Sequence, residues 1–575
     1  MIALTKISIK FKSMITSNSK TFIFFISSLL IYTFYANLLR YSPDFNDETE
    51  KLIAILMIKS GGRLYNNVFS HHGPIIFILE HFFYTIGARS IPALRIVPIL
   101  ISYLSILAIL TSPALKSMSA RFISAGSFCI GLLMLQTIYP FSLSLYQNFA
   151  GHFLFCAAAL WIFPFLLGVP FSRSASFFGG LATGLAFFTG YPYICTIFFL
   201  SCIIIFKAII NKKQFNFEVQ SIYYAFSGAL LILTIVALWL LLYGDIKGYF
   251  VYHFYFNQIV YTQFADFEPF TIFILIIPFI NFIYTYKYFQ NDWLWLACFI
   301  FSLVPLYTTL LFQYVPKLST TKKMSSNAVL FVLCMLSIMY ANPRSSIGFQ
   351  ATTMVIYLLG FIALIFGLSF EQKVKFPKQW FLSILIILTV NISFIAAQFL
   401  TVTHLYDSNP LKYYKLKTNS LKISNEYDFK FIREIVRPDE KILALPLVPS
   451  FYIQTDRLPA SGNYYFLPWQ NRYSEQTLWN YKIDICADIK NNKPKVIFLD
   501  SRTKIWNINP ETYLKCIIDE LNTKYLRTSI KEDLWIRADA TAQNPKALAA
   551  ALIPKDFDVI WLPKDLQLLL LEAKK

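Results

Sequence analysis

The chain has 575 residues, of which 56% are apolar, 18% aromatic and only 14% charged, with a formal net charge of +19. A soluble globular chain carries roughly 25% charged residues, so a soluble enzyme, a disordered chain and a disulfide scaffold are excluded and a polytopic helical membrane protein remains. The positive balance is read as basic loops on the cytoplasmic face rather than as a nucleic-acid surface.

Lys6, Lys10, Lys12 and Lys20 precede an apolar run over 22–39, which Arg40 closes. No small-residue cleavage site follows, so an uncleaved first span with a cytoplasmic N-terminus is expected. The segment 41–91 is then outside and is treated below. Further spans are expected at 92–111, 121–138, 149–167, 177–190, 191–206, 225–243, 271–288, 293–312, 325–341, 350–369 and 380–401, each near the roughly 20 apolar residues a crossing needs. The stretch 177–206 is long for one span and short for two. Lys116 with Arg121, Arg173, and Lys207 with Lys212 and Lys213 fall where inside loops belong. Lys317, Lys322 and Lys323, and Lys373, Lys375 and Lys378, also read as inside. Three spans separate the basic loops at 207–213 and 317–323, an odd number, so one more crossing or re-entrant piece is expected. The aromatic stretch 248–264 is the candidate, and the expectation is 11–13 crossings with the C-terminus outside.

From 402 onward the composition changes. That tail holds 26 Lys+Arg and 21 Asp+Glu, against 25 and 11 in residues 1–401. It reads as a small α/β domain, with strands in KILALPL (441–447) and KVIFLD (495–500) and helical periodicity over 427–437 and 510–522. The expected fold is therefore mainly α. A transmembrane bundle over 1–401, with an outer first loop at 41–91, precedes an extracytoplasmic α/β domain over 402–575. Cys129, Cys156, Cys195, Cys202, Cys298 and Cys334 lie in apolar stretches and read as packing residues. Cys486 and Cys516 lie in the tail, where a disulfide is open but not implied.

Four of the 11 acids of residues 1–401 sit within seven positions: Asp44, Asp47, Glu48 and Glu50 in YSPDFNDETEKL. Such a cluster just beyond the first span is a candidate site. Helix capping explains it as readily, because acids in a first turn face the positive end of the dipole. The helix that follows, 47–60, is too short to span, as is 74–87, so both are expected in the interface plane. Between them GGRLYNNVFSHHGP (61–74) carries two glycines, His71 and His72, and Pro74, and reads as a tight polar loop. A His–His pair near four acids can bind a metal or a phosphate oxygen.

These features resemble the GT-C membrane glycosyltransferases, and among them the protein O-mannosyltransferase-like and lipid A aminoarabinose transferase-like enzymes. The similarity rests on an outer Asp-Glu pair after the first span, an interfacial helix, a G-x-LY-x-x-x-F-x-x-x-G-P pattern and an Arg at the next span. GGLATGLAFFTGYPY (179–193) is similar to the family's Gly-rich fifth and sixth spans, and FIREIVRPDEKILAL…RLPASGNYYF resembles its bacterial outer domain. The resemblance implies an inverting hexosyl- or pentosyltransferase of the bacterial inner membrane. It would move a sugar from a polyprenyl-phosphate donor to a cell-envelope acceptor, a lipid, glycan or protein, on the outer face, with no nucleic acid involved. It places the catalytic base at Asp47, with Glu48 beside it.

In the aminoarabinose-type pattern a Glu-Lys-Pro stands where this chain has His71-His72-Gly73-Pro74, so the phosphate-binding lysine is absent and a histidine must serve. His253 resembles an outer-loop histidine of that branch. With His71 and His72 it is the expected metal set for Zn, Mn or Mg. A second outer acid of the mannosyltransferase branch is not found, and Gln147 and Asn148 occupy that region. Cations must neutralise a departing phosphate, and Arg63, Arg95 and Arg344, all at expected outer span ends, complete the donor set. Arg95 serves equally well as a headgroup anchor. Two other readings stand beside this one, a lipid-linked-sugar transporter and a non-catalytic relative. Clustering of the acids at one surface without repeated halves disfavours the transporter. Asp47 argues against the non-catalytic relative, and the missing lysine and second acid argue for it.

Overall fold

The computed structural model describes residues 19–41, 46–138, 143–210, 215–264, 351–371, 432–500, 504–505, 508–528 and 533–539. The expected spans at 271–288, 293–312, 325–341 and 380–401 lie outside the described residues, as does Arg344. The chain divides into two compact units. The first comprises Met1–Ser42, His72–Leu238 and Asp266–Ser408, and the second Pro43–His71, Trp239–Ala265 and Asn409–Lys575.

The first unit is helical, and five helices among the described residues are long and apolar enough to cross a bilayer. These are α1 (Ser19–Leu39), α4 (Ile91–Thr111), α5 (Met118–Gln136), α6 (Tyr146–Leu167) and α9 (Glu218–Tyr243), the last running on into the second unit. Shorter elements are α2 (Asn46–Lys59), α3 (Pro74–Thr85), α7 (Arg173–Phe187), α8 (Tyr193–Ile210) and α11 (Ala351–Glu371). The stretch 177–206 thus resolves into two helices. Large apolar side chains on one face of α1 and α9, Leu30, Phe34, Leu238 and Leu241 among them, are exposed. That is the stable arrangement only where the surrounding solvent is hydrocarbon.

The centre of this unit is α6, with α4, α7 and α11 packed on it. Its run of small and aromatic residues from Phe149 to Phe163 is buried almost throughout. A wide-turn segment, Ala158–Ile162, interrupts it just before Pro164, where the missing proline N–H and ring bulk disrupt regular α bonding. The Gly-rich α7 fits because it has no side chain at the contact. A Cβ on Gly180 would lie 1.8 Å from the Ala225 carbonyl oxygen on α9. Close backbone approach between small residues substitutes for a hydrophobic driving force in lipid.

The second unit holds the α/β tail. Its sheet has the order β1 (Leu443–Leu445), β2 (Val496–Leu499), β4 (Leu534–Arg537), β3 (Tyr525–Arg527). β1 runs parallel to β2, pairing Ala444 with Phe498, and the other pairings are antiparallel. Both parallel strands are wholly buried, which explains their continuous apolar runs. Short helices α12 (Ser450–Thr455), α13 (Pro468–Tyr473), α14 (Ile485–Asn492) and α15 (Lys515–Lys524) surround the sheet. A disulfide, Cys486–Cys516, ties α14 to α15.

The stretch expected as one more crossing or a re-entrant piece forms a turn, Ile246–Tyr249, and a wide helix, α10 (Phe250–Val260). Its rings pack on the tail: Tyr252 on Tyr473 and Tyr481, Phe256 on Tyr473, and Tyr261 on Trp469. An 11-residue helix is shorter than the roughly 20 residues of a full crossing. The first-loop segment 43–71 and residues 239–265 fall in the same compact unit as the tail.

Candidate active site

The acids open α2. Asp47 and Glu48 occupy its first turn, where unpaired backbone N–H groups favour negative charge. Asp47 is half-buried, and Glu48, Glu50 and Lys51 are buried. Tyr465 donates its phenol to Asp47 Oδ1 at 3.1 Å, and the neighbouring Tyr464 donates to the Glu50 carbonyl at 2.6 Å. Burial raises the Asp47 carboxyl above the ordinary carboxylate range. Lys51, one turn on, and the Tyr465 bond oppose that, and the Glu48 charge adds to it. Glu50 is pushed up to about 8 by burial and then by Asp47, with Lys51 again opposing. Near pH 7 Glu50 therefore largely keeps its proton, and the basic side chain beside the acids is a buried lysine on the same helix.

The first loop is latched to α10 through the backbone of His71. Its carbonyl accepts from His253 Nδ1 at 3.0 Å and from Asn257 Nδ2 at 2.9 Å. A carbonyl can only accept, so Nδ1 of His253 carries the proton. The His253 ring stacks on Tyr249 at 5.0 Å and is buried, which lowers its basicity to a pKa of about 4 and leaves it neutral near pH 7. The His71 ring lies among Phe69, Phe256 and Tyr261. His72 belongs to the first unit, where its ring packs on Tyr146 at 5.0 Å. Among the described residues no three His, Cys, Asp or Glu side chains come together to hold a metal. The contacts of these histidines include ring packing and the His253–His71 backbone bond.

The arginines have structural work. Arg63 donates Nε to the Gly244 carbonyl at 2.9 Å and Nη2 to that of Leu241 at 3.2 Å, capping the end of α9. Arg95, fully buried, donates Nη1 to the carbonyls of Leu39 and Arg40 at 3.3 and 3.0 Å, closing the end of α1. Both are cations at helix C-termini, where the dipole is negative. Gln147 and Asn148 are buried in the first turn of α6, and Asn148 donates to Leu143 O. A cavity of about 280 Å³ in the first unit is lined by Trp161, Phe165, Phe171, Ser176 and Glu218 among others, and includes none of these residues.

Lys51, Tyr464 and Tyr465 are not among the residues expected at the site. Lys51 had a signal, being four residues after Asp47 and so on the same helical face. Nothing local links Tyr465 to an acid 418 positions earlier.

No family model matches the sequence, and no curated protein matches it. Solved structures do. The chain is similar to ArnT from Cupriavidus metallidurans in the apo state, at 10% identity and a TM-score of 0.50, covering 91% of this chain and 98% of that one. ArnT bound to undecaprenyl phosphate matches at 11% identity and a TM-score of 0.52, covering 90% and 98%. The archaeal oligosaccharyltransferase AglB from Archaeoglobus fulgidus, in complex with an inhibitory peptide and a dolichol-phosphate, matches at 12% identity and a TM-score of 0.37 over 82% and 69% of the two chains, too loose a superposition to argue from. The protein is an integral membrane protein with the GT-C fold, a helical bundle followed by a small α/β domain.

Proposed function

We propose that this protein is a membrane glycosyltransferase that moves a sugar from a polyprenyl-phosphate donor to a cell-envelope acceptor at the outer face of the inner membrane, with inversion. The observation that carries the reading is the Asp47 carboxylate, bonded on one oxygen by Tyr465 and flanked by buried Lys51, in a chain with the fold of a protein solved with undecaprenyl phosphate. In the displacement the acceptor oxygen bonds to the anomeric carbon. The bond from that carbon to phosphate oxygen breaks with its electron pair leaving on phosphate, and the acceptor proton passes to Asp47. A carboxylate raised above its ordinary range is a better base than a free one near neutral pH. Phosphate is a good leaving group, so no strong general acid is required.

Lys51 is the basic side chain on the acid-bearing helix itself and joins His71, His72, Arg63 and Arg95 in the charge-balancing role. Arg344 keeps its expected place in the donor set. No metal step is included; a transfer rate that falls on chelation and returns with Zn²⁺ or Mn²⁺ would reinstate one. The disulfide supports a tail in an oxidising, extracytoplasmic compartment, and the lysines before the first span support a cytoplasmic N-terminus.

The test uses the full-length protein in lipid nanodiscs with a polyprenyl-phosphate sugar, following release of polyprenyl phosphate. Asp47→Asn should lower turnover by about 10²–10⁴-fold with expression intact. Retained activity in Asp47→Asn with loss in Glu48→Gln would move the base to Glu48. Movement of intact donor across vesicles without release would favour a transporter.

A further inference from the structure

Tyr465 is held where it is by contacts that run deep into the tail. Gly462, three residues earlier, accepts from Phe69 N at 3.1 Å, and a Cβ there would lie 1.8 Å from the Asn67 carbonyl oxygen, so only glycine lets the two strands of loop meet. Ser461 donates to Asp488 Oδ2 at 2.5 Å, Asn463 donates to the same oxygen at 3.4 Å, and the Asn463 amide donates to Ser461 Oγ at 2.9 Å. Asp488 sits on α14, two residues from the cysteine that the disulfide joins to α15. The loop 461–465 is therefore pinned at one side to the first loop and at the other to a cross-linked helix pair.

A carboxylate that takes a proton works best with one oxygen fixed and the other presented to the substrate. A neutral phenol suits the first task, since it donates one hydrogen bond and adds no charge. We propose that Tyr465 is a positioning residue for proton transfer: its phenol fixes Oδ1 of Asp47 and leaves Oδ2 to take the acceptor proton, so that the C-terminal domain completes the active site. This rests on the glycosyltransferase reading above. The titratable and charged groups around Asp47 are Glu48, Glu50 and Lys51 on its own helix and Tyr465 with Tyr464 from the tail. Tyr452 on α12 and Tyr261 after α10 stand behind those tyrosines.

The experiment compares wild type, Tyr465→Phe and Asp488→Asn, full length in nanodiscs. Dicyclohexylcarbodiimide reacts with protonated carboxyls, so labelling of Asp47, read by peptide mass spectrometry from pH 4 to 9, gives its titration midpoint without any transfer. The acid limb of kcat/KM for transfer is measured in parallel. Loss of the phenol bond should raise both midpoints by about one pH unit. Transfer one unit below the wild-type midpoint then falls about tenfold further than transfer on the alkaline plateau, where any loss reports orientation alone. Asp488→Asn, which loosens the loop without touching Asp47, should shift both in the same direction by less. Labelling midpoints unchanged in both variants, or a loss of transfer equal at every pH, overturns the proposal. A wild type that transfers no sugar would defeat the glycosyltransferase reading instead, and the labelling midpoints alone would still decide whether Tyr465 sets the state of Asp47.

Discussion

Glu50→Gln should flatten the dependence of this protein's stability on pH. Glu50 is 5% exposed, and its pKa rises from an ordinary 4.5 to about 8, first through burial and then through the charge of Asp47, with Lys51 opposing. Between those values the folded protein keeps a proton that the unfolded chain has released. The contribution is thus fully present below pH 4.5 and is lost as pH rises through about 8. At 1.36 kcal/mol per pH unit the whole interval is worth about 5 kcal/mol, an upper figure because the helix can adjust as the acid ionises. Glutamine keeps the shape of the protonated acid and never ionises. Thermal unfolding of both proteins in detergent, followed by tryptophan fluorescence from pH 5 to 9, reads the difference directly. The wild-type midpoint should fall steadily across that range. The variant should show only the smaller slope that Asp47, shifted in the same direction, leaves behind. Parallel curves for the two proteins would refute the reasoning, since they would show that Glu50 ionises in the folded state at no greater cost than in the unfolded chain.

Arg95→Leu should lower the thermal midpoint by removing the donor to the Leu39 and Arg40 carbonyls, a loss of about 2–4 kcal/mol, while transfer at low temperature stays within a few fold. A near-wild-type midpoint with lost donor binding would return Arg95 to the phosphate site. Gly462→Ala should force the tail loop back from Asn67 at a cost of about 1–3 kcal/mol. Limited proteolysis would show it as faster cleavage near 459–466, and an unchanged cleavage rate would mean that the loop accommodates a methyl group.

The class of the protein was legible in its sequence because it depends on local properties. A crossing is a run of apolar residues, and the runs expected at 22–39, 92–111, 121–138 and 149–167 match helices at Ser19–Leu39, Ile91–Thr111, Met118–Gln136 and Tyr146–Leu167 within three residues at each end. The strands at 441–447 and 495–500 were legible for the same reason, since burial of both faces writes itself as an uninterrupted apolar run. β3 and β4 left no such run: each is three or four residues long and only partly buried, with the Arg527–Trp535 pair on their shared edge. The acid cluster, too, was visible, because acids are scarce in residues 1–401.

What tertiary structure decided was which groups meet and what their surroundings do to them. Arg63 and Arg95, expected as phosphate ligands from their position at span ends, each donate to carbonyls at a helix end, a pairing invisible in sequence. His253, expected as a metal ligand, is buried against Tyr249 and donates to the His71 carbonyl, contacts that no local pattern shows. The Tyr465–Asp47 contact joins residues 418 apart, and the rise of Glu50 to about 8 comes from water excluded by distant segments. Periodicity acts over a few residues, whereas desolvation and hydrogen bonding act over a few ångströms of space, and only the folded chain relates the two.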